Sequence, residues 1–296
     1  MLDFGFYNMD CMDGMREFPD KFFDIAVVDP PYFSGPEKRG YYGGAISPIG
    51  VKRVYKKTDH WEVPGSEYFE ELERVSKHQI VFGCNYFDWH FPPGRIIWDK
   101  CNENNSFSDC EIASCSLHDS VRLFRYMWNG MMQGKSINEG WIQRGNKKLN
   151  EVRIHPTQKP IALYEWILGK YPVIGDKILD THVGSASSLI ACERLGFSYV
   201  GFELDEYYYR LAKERIESEK SQMSIFDLGV ERIQFPSGTN GIRVRGGTRI
   251  GLTIAVLITS VAFGWTGFCV GYCAGKENKH DSRANSNKAR NKTDAK

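Results

Sequence analysis

The stretch Lys21-Phe-Phe-Asp-Ile-Ala-Val-Val-Asp-Pro-Pro-Tyr32 decides the fold of this chain. Its apolar, β-branched run from Ile25 to Val28 is short enough for a buried central strand of a parallel sheet. Because proline cannot continue a sheet ladder, the two prolines after Asp29 end the strand. Ligands bind at the carboxyl ends of strands in open α/β sheets. The stretch therefore predicts a stiff turn that displays a carboxylate and a ring at a ligand site, although a rigid connection with an N-capping Asp29 has the same pattern.

Composition and charge describe a globular protein with one basic segment. The 296 residues are 42% apolar and 25% charged, and the net charge is only +1. Between positions 120 and 159, however, eight Lys and Arg face two Glu. Such a segment indicates either local contact with a polyanion or a solvated basic face. The eight cysteines lack zinc-site spacing and follow no secretory signal, which favours reduced cysteines in an intracellular protein without a metal.

Apolar periodicity predicts the order of the elements. The second half of the chain reads as strand, helix, strand and helix, at 177–179, 186–195, 199–202 and 206–219. This succession is the local signature of a parallel, doubly wound α/β sheet. Further strands are predicted at 79–83 and 95–98. The composition of 112–116 and 121–126 indicates an antiparallel pair, and regular structure is expected to fail from 127 to 153.

A second constellation begins at the next buried strand, with Asp180-Thr-His-Val-Gly-Ser-Ala-Ser-Ser188. Small residues there let a ligand approach the backbone, and free N–H groups at a helix start suit an anion or a carboxylate. The following strand ends at Glu203, which is placed to take the two hydroxyls of a ribose. Ala186 stands where dinucleotide-binding turns need glycine, which argues against a pyrophosphate. The pattern favours a nucleoside cofactor such as S-adenosylmethionine, with an ordinary α/β turn as the alternative.

Together the motifs resemble one enzyme family. They are Asp29-Pro-Pro-Tyr32, His155-Pro-Thr-Gln-Lys-Pro160, Asp180-x-x-x-Gly-Ser185 and Gly201-Phe-Glu-Leu-Asp-Glu-Tyr-Tyr208. In this order they resemble the amino-methylating DNA methyltransferases of the β class, of phage and bacterial type, over about residues 1–220. The resemblance implies the Rossmann-like, doubly wound, mostly parallel sheet of S-adenosylmethionine-dependent methyltransferases. It also implies double-stranded DNA as the partner and leaves a homodimer open.

The resemblance assigns roles to the matching positions. Asp29 and the Pro30 carbonyl accept hydrogen bonds from an exocyclic amine, and Tyr32 stacks on the base, which must flip out of the duplex. With Pro31, these residues form the expected catalytic turn. The cofactor is expected to contact Asp10 at its adenine, Glu203 at its ribose, Thr157 and Lys159 at its methionine end, and the loop residues Asp180, Val183, Gly184, Ser185 and Ala186.

Two departures from the family pattern stand in the cofactor loop. Thr181-His182 replaces the usual Pro-Phe, and Ala186 replaces a second glycine. Both are tolerable if the backbone there stays in an ordinary region. They make a DNA-binding homologue without activity a second hypothesis.

The region 127–153 falls where the family places target recognition. Its expected DNA contacts are two aromatic and three basic side chains, Trp128, Trp141, Arg144, Lys147 and Lys148. Phosphate contacts position a protein without specifying a sequence, so the target sequence is not predicted. Asp rather than Ser or Asn before Pro-Pro-Tyr favours adenine N6 within the family, with cytosine N4 as the alternative.

The last part of the chain lies beyond the resemblance. Residues 221–248 have the composition of a linker, 249–275 form a hydrophobic segment, and 276–296 form a basic polar tail. The 25 uncharged residues 251–275 are long enough to cross a bilayer, or to form a buried helix. Basic residues after this segment would place the methyltransferase domain outside, away from DNA. A membrane protein with an RNA or small-molecule methylase domain is a third hypothesis. We expect a cytoplasmic protein, with membrane anchoring through 251–275 left open.

Overall fold

A computed structural model describes residues 1–32, 35–36, 43–46, 52–58, 61–101, 108–129, 131–225, 230–234 and 240–244. The chain divides into two compact units, Met1–Arg243 and Val244–Lys296. The second unit lies outside the described residues apart from Val244, and so does the hydrophobic segment 249–275. Within the described ranges, no helix is both long enough and apolar enough to cross a membrane.

The described part of the chain contains fourteen strands and six α-helices. The strands are β1 (Gly5–Asn8), β2 (Phe23–Val28), β3 (Gly43–Ile46), β4 (Lys52–Val54), β5 (Ser76–Phe82), β6 (Arg95–Asp99), β7 (Cys110–Cys115), β8 (Val121–Arg125), β9 (Met127–Asn129), β10 (Met132–Gly134), β11 (Lys177–Asp180), β12 (Ser198–Glu203), β13 (Val230–Gln234) and β14 (Asn240–Val244). The helices are α1 (Cys11–Arg16), α2 (Ser66–Val75), α3 (Ile137–Gly145), α4 (Ile161–Leu168), α5 (Ser187–Leu195) and α6 (Glu206–Ile225).

Eight strands form one mixed sheet in the order β1-β12-β11-β2-β5-β7-β6-β8. All pairings in it are parallel except those of β7, which runs antiparallel to both β5 and β6. Seven strands therefore end at the same edge of the sheet, and β7 begins there. The apolar run Ile25–Val28 lies in β2, between β11 and β5, as its composition predicts.

Helices cover both faces of this sheet. Because side chains alternate along a strand, Ile25 and Val27 pack on one face with residues of α4, α5 and α6. Ala26 and Val28 pack on the other face with residues of α1 and α2. The architecture is a three-layer, doubly wound α/β fold, which confirms the predicted fold class.

Three local predictions differ from the structure. β7 and β8 do not pair with each other, because β6 lies between them and pairs with both. The region 127–153 is also more regular than its mixed composition indicated. It contains the antiparallel hairpin of β9 and β10, followed by α3, whose N-cap Ser136 accepts a hydrogen bond from the Glu139 N–H at 3.2 Å. The segment 221–248, predicted as a linker, includes the end of α6 together with β13 and β14.

Candidate active site

The direction of the strands brings acidic and basic side chains to one edge of the sheet. Asp29 follows β2, Asp180 and Glu203 end β11 and β12, and Lys100 follows β6. Glu111 reaches the same edge from the opposite direction, because it stands near the start of the antiparallel β7, opposite Trp98. The sheet therefore collects at one edge the residues that the sequence placed in two separate motifs.

The two carboxylate oxygens of Asp29 differ in their hydrogen-bond partners. Oδ2 accepts a hydrogen bond from the Lys159 ammonium, whose side chain is only 3% exposed. Oδ1 is buried and has no hydrogen-bond partner among the described residues. Burial raises the pKa of Asp29, with a further rise from the charge of Glu111 that the charges of Lys159 and Lys100 oppose. One oxygen is thus held by the protein, and the other remains an unused acceptor.

Tyr32 is fixed at its hydroxyl and along its ring. The hydroxyl donates to Glu111 Oε2 at 3.2 Å, and the ring stacks on Tyr86 with centroids 5.1 Å apart and an interplanar angle of 21°. Gly83 lies against the ring, since a Cβ on this residue would stand 2.2 Å from Tyr32 Cδ1. Gly83 also has a φ of 68°, in the left-handed region that favours glycine.

Glu111 and Lys100 complete the surroundings of Asp29, and the sequence had not singled them out as site residues. Glu111 Oε2 accepts a hydrogen bond from Lys159 at 3.0 Å, and its Oε1 lies 2.5 Å from Lys100 Nζ. Burial alone would raise the pKa of Glu111, but the two ammonium groups outweigh it and lower this pKa to about 2. Glu111 is therefore a fixed negative charge.

The loop after β11 is held by its own side chains. Asp180 Oδ1 accepts the His182 N–H at 3.0 Å, and Oδ2 accepts a hydrogen bond from the Ser188 hydroxyl. Burial raises the pKa of Asp180 to about 7. The hydroxyls of Ser185 and Ser187 lie 3.1 Å apart, and Ser187 also donates to the Lys159 carbonyl at 2.8 Å. The cofactor loop thus contacts the segment that carries Lys159.

The backbone of this loop adopts left-handed conformations at Gly184 and at Ala186, with φ of 54° and 63°. Val183 donates its N–H to the Phe202 carbonyl at 3.0 Å, and Ala186 donates its own to the Val183 carbonyl at 3.0 Å. Ala186 is fully buried and is the N-cap of α5. The backbone at Ala186 is therefore outside the ordinary region, at a conformation that costs an L-residue about 1–2 kcal/mol.

Glu203 lies between the cofactor loop and the start of α6. Its Oε2 accepts the Gly184 N–H at 2.8 Å, and its Oε1 accepts the Asp205 N–H at 2.9 Å. Burial raises the pKa of Glu203 to about 7. After the neighbouring strand β1, Asp10 is exposed and caps α1 by accepting the Met12 N–H at 2.7 Å. Since a carboxylate oxygen accepts more than one hydrogen bond, Glu203 keeps capacity for a further donor.

Thr181 and His182 form a hydrogen-bonded chain. The Tyr68 hydroxyl lies 2.6 Å from Thr181 Oγ1, which lies 2.9 Å from His182 Nδ1. The Nε2 of His182 lies 4.0 Å from Cys11 Sγ. Burial lowers the pKa of His182 to about 4, so its imidazole is neutral at neutral pH. Both polar residues have partners within the protein.

The segment His155–Pro160 faces the same loop. Nδ1 of His155 lies 3.1 Å from Thr157 Oγ1, and a Cβ on Gly184 would meet this imidazole ring at 3.7 Å. The ring of His155 packs edge-on against Tyr208, with centroids 4.4 Å apart. Burial lowers the pKa of His155 to about 4. Thr157 and Lys159 are therefore brought to the edge shared by the catalytic turn and the cofactor loop.

Of the five DNA contacts expected in the region 127–153, the structure contradicts one. Trp128 is 8% exposed, donates its indole N–H to the Gln158 carbonyl at 2.7 Å and packs under Arg153. This burial corrects the expected groove contact, because the indole edge is already used inside the protein. Trp141 is 53% exposed, with the Arg144 guanidinium 4.8 Å from its ring centroid. Lys147 and Lys148 are exposed in the turn after α3.

The fold and this edge define the class of S-adenosylmethionine-dependent methyltransferases. The family model N6_N4_Mtase, described as DNA methylase, matches residues 23–214. The chain belongs to this family and is an S-adenosylmethionine-dependent DNA methyltransferase.

Curated relatives and solved structures are similar over most of the chain. The type II methyltransferase M.HpaI of Haemophilus parainfluenzae is 38% identical over 245 residues, which are 75% of this chain and 77% of that protein. The type II methyltransferase M2.DpnII of Streptococcus pneumoniae is 36% identical over 248 residues, which are 72% of this chain and 89% of that protein. Among solved structures, the M1.HpyAVI–SAM complex has a TM-score of 0.41 and 17% identity, covering 71% of this chain and 98% of that chain.

Proposed function

We propose that this protein methylates the exocyclic N6 amine of adenine flipped out of double-stranded DNA. The unused acceptor Oδ1 of Asp29, in the same turn as Tyr32, carries the proposal. An exocyclic amine is a hydrogen-bond donor attached to a flat ring. The turn Asp29–Tyr32 supplies a matching acceptor, Oδ1 of Asp29, and an aromatic ring, that of Tyr32. Asp rather than Ser or Asn in the turn favours adenine over cytosine, whose N4 amine is the alternative substrate.

Asp29 acts on the amine in two ways. The lone pair of an aromatic amine is delocalised into its ring, so a hydrogen bond to Oδ1 that draws an N–H out of plane makes the nitrogen a better nucleophile. Once the nitrogen carries the methyl group, it must lose a proton, and Oδ1 is the acceptor at hand. The raised pKa of Asp29 favours this second role. The Pro30 carbonyl accepts the other N–H, and Pro31 keeps the turn rigid.

The residues of the cofactor loop fit S-adenosylmethionine. When bound, this cofactor supplies an electrophilic methyl group. Glu203 would hold the ribose hydroxyls, Asp10 the adenine, and Thr157 and Lys159 the methionine end. The cofactor would lie against the loop after β11, at Asp180, Val183, Gly184, Ser185 and Ala186. Holding the donor and the amine at one edge supplies much of the rate by proximity.

The exposed side chains of the region 127–153 are the proposed DNA contacts. The exposed Lys147 and Lys148 and the half-buried Arg144 would meet phosphates, and Trp141 is exposed with the Arg144 guanidinium over its ring. Such contacts position the duplex without reading its sequence.

Substitution of Asp29 tests the proposal. Asp29→Asn keeps the shape of the side chain and removes its charge, so we expect cofactor binding by calorimetry to persist while methyl transfer falls below detection. The substrate is unmethylated DNA amplified by polymerase chain reaction, with labelled S-adenosylmethionine. Nucleoside analysis of the product distinguishes N6-methyladenine from N4-methylcytosine. Transfer at the wild-type rate by the variant contradicts the role of Asp29, and a wild-type protein that binds cofactor without transferring methyl supports the inactive homologue.

A further inference from the structure

Four charged side chains meet at the catalytic turn, and their charges balance. Asp29 and Glu111 are negative, Lys159 and Lys100 are positive, and their side chains are between 3% and 19% exposed. Burying an ion is costly unless it is paired and hydrogen-bonded. In this group of four, each buried charge has a partner of opposite sign, so the cost of burying it is offset. The hydrogen bonds among the four side chains indicate the role of each.

Glu111 is the centre of this group. One of its oxygens lies within hydrogen-bond distance of both the Tyr32 hydroxyl, at 3.2 Å, and Lys159 Nζ, at 3.0 Å. Its other oxygen holds Lys100. Glu111 thus contacts both the ring proposed to stack on the base and the ammonium that holds Asp29.

We propose that Glu111 is a positioning residue for methyl transfer, which acts through Lys159 on Asp29 and through the hydroxyl on Tyr32. This inference rests on the proposed roles of Asp29 and Tyr32. Glu111 draws one N–H of Lys159 toward β7, so the ammonium binds Oδ2 of Asp29 and leaves Oδ1 for the amine. Without the charge of Glu111, Lys159 is free to bridge both oxygens of Asp29, and the Tyr32 hydroxyl keeps only a neutral, weaker acceptor.

The ionisation of Asp29 reports on this arrangement. The titratable groups that act on it come from every neighbouring element: Glu111 on β7, Lys100 after β6, Lys159 before α4, Tyr164 on α4, Asp180 on β11, Tyr68 on α2 and Tyr32 in its own turn. The charge of Glu111 disfavours ionisation of Asp29, whereas the charges of Lys159 and Lys100 favour it. Removing Glu111 or removing Lys159 must therefore move the pKa of Asp29 in opposite directions.

The test compares Glu111→Gln with Lys159→Met. Since transfer needs ionised Asp29, we expect the acid limb of the kcat profile to move to lower pH in Glu111→Gln and to higher pH in Lys159→Met. We also expect kcat at the plateau to fall about 10- to 100-fold in Glu111→Gln, as for a reacting group displaced by about 1 Å. In Glu111→Gln, affinity for S-adenosylmethionine should stay close to that of the wild type, whereas Lys159→Met also removes a proposed cofactor contact and is compared only by the direction in which its pH profile moves. The exposed neighbours on α6 supply the matched controls, Glu214→Gln and Lys213→Met, which should retain wild-type profiles.

A second readout is independent of activity. Carboxyl-detected NMR follows the titration of Asp29, with its signal assigned from Asp29→Asn, and the same opposite displacements are expected. General loosening of the site would move both variants in the same direction. An active wild type with unchanged kcat, pH profile and Asp29 titration in Glu111→Gln overturns the inference and leaves the proposed function intact. A wild type that transfers no methyl removes the proposed function, and the NMR titration still decides whether Glu111 controls Asp29.

Discussion

Gly83→Ala should damage catalysis more than it damages the fold. Gly83 follows β5, with a φ of 68°, and stands directly against the ring of Tyr32. A Cβ there would lie 2.2 Å from Cδ1, 2.3 Å from Cγ and 2.7 Å from Cε1 of that ring. Real carbon contacts begin near 3.4 Å, so the ring or the turn must move by roughly 1 Å, about the difference between 3.4 Å and 2.2 Å.

The free energy of unfolding should fall by two contributions. An L-residue in the left-handed region costs about 1–2 kcal/mol. Overpacking adds about 1–3 kcal/mol, because Tyr32 is held by Glu111 and Tyr86 and cannot simply swing away. A base-stacking ring displaced by about 1 Å should lower kcat about 100-fold. Cofactor affinity should change little, because Gly83 follows β5 whereas the proposed cofactor loop follows β11.

Gly175→Ala is the matched control. Gly175 also has a positive φ, of 99°, but no atom of the described residues lies within 4 Å of a Cβ built on it. It should therefore show the backbone cost alone and keep full methyl transfer. Unfolding in urea gives the free energies, calorimetry gives the affinity for S-adenosylmethionine, and labelled methyl transfer gives kcat. Wild-type kcat in Gly83→Ala would show that the position of the Tyr32 ring does not matter, which refutes its proposed role.

Three further predictions concern other parts of the molecule. Ala186→Gly relieves about 1–2 kcal/mol of left-handed strain, but it loses about 0.8 kcal/mol of methyl burial and about 0.4–1 kcal/mol to the greater entropy of the unfolded chain, so urea unfolding should show almost no change. The helical Ala191→Gly has no strain to relieve and should destabilise, and equal losses in the two variants would contradict the strain. Because burial raises the pKa of Glu203 to about 7, the folded protein binds more protons than the unfolded chain between pH about 4.5 and 7, and stability from this group falls as pH rises through that window. Glu203→Gln should flatten this fall in Tm measured from pH 5 to 7.5, and an unchanged slope would contradict the raised pKa. Lys147→Gln with Lys148→Gln should weaken binding to all duplexes alike and reduce the salt slope of log K by about 2, whereas Lys170→Gln with Lys213→Gln should not.

The sequence predicted what strand direction and local chemistry determine. An apolar run that ends in two prolines places Asp29 at the end of a strand, and Asp180 and Glu203 end strands that the same periodicity identified. Because parallel strands end at one edge, these residues could be placed together without any knowledge of long-range contacts. The fold class followed from the same signals.

Contacts between distant parts of the chain were not predictable from those signals. Lys159 holds Asp29 across 130 residues, and no periodicity links the two. Glu111 was missed because β7 and β8 were expected to pair with each other; placing β7 antiparallel beside β5 and β6 would have brought its first residues to the active edge. Gly83 carried only a weak signal, a glycine after an apolar strand. Trp128 was misplaced because composition does not distinguish a buried indole from an exposed one.

The departures from the family pattern have different structural consequences. Thr181 and His182 are accommodated by partners, because Tyr68 and Cys11 supply the contacts that two polar residues need at this buried position. Ala186 has no such accommodation, since a left-handed φ strains any residue with a Cβ. Yet its N–H and carbonyl still bond to Val183 and Ile190, so the turn keeps its shape. The strain lowers the stability of the loop, but the Gly184 N–H still donates to Glu203 Oε2 at 2.8 Å, which argues for a working cofactor site rather than a degenerate one.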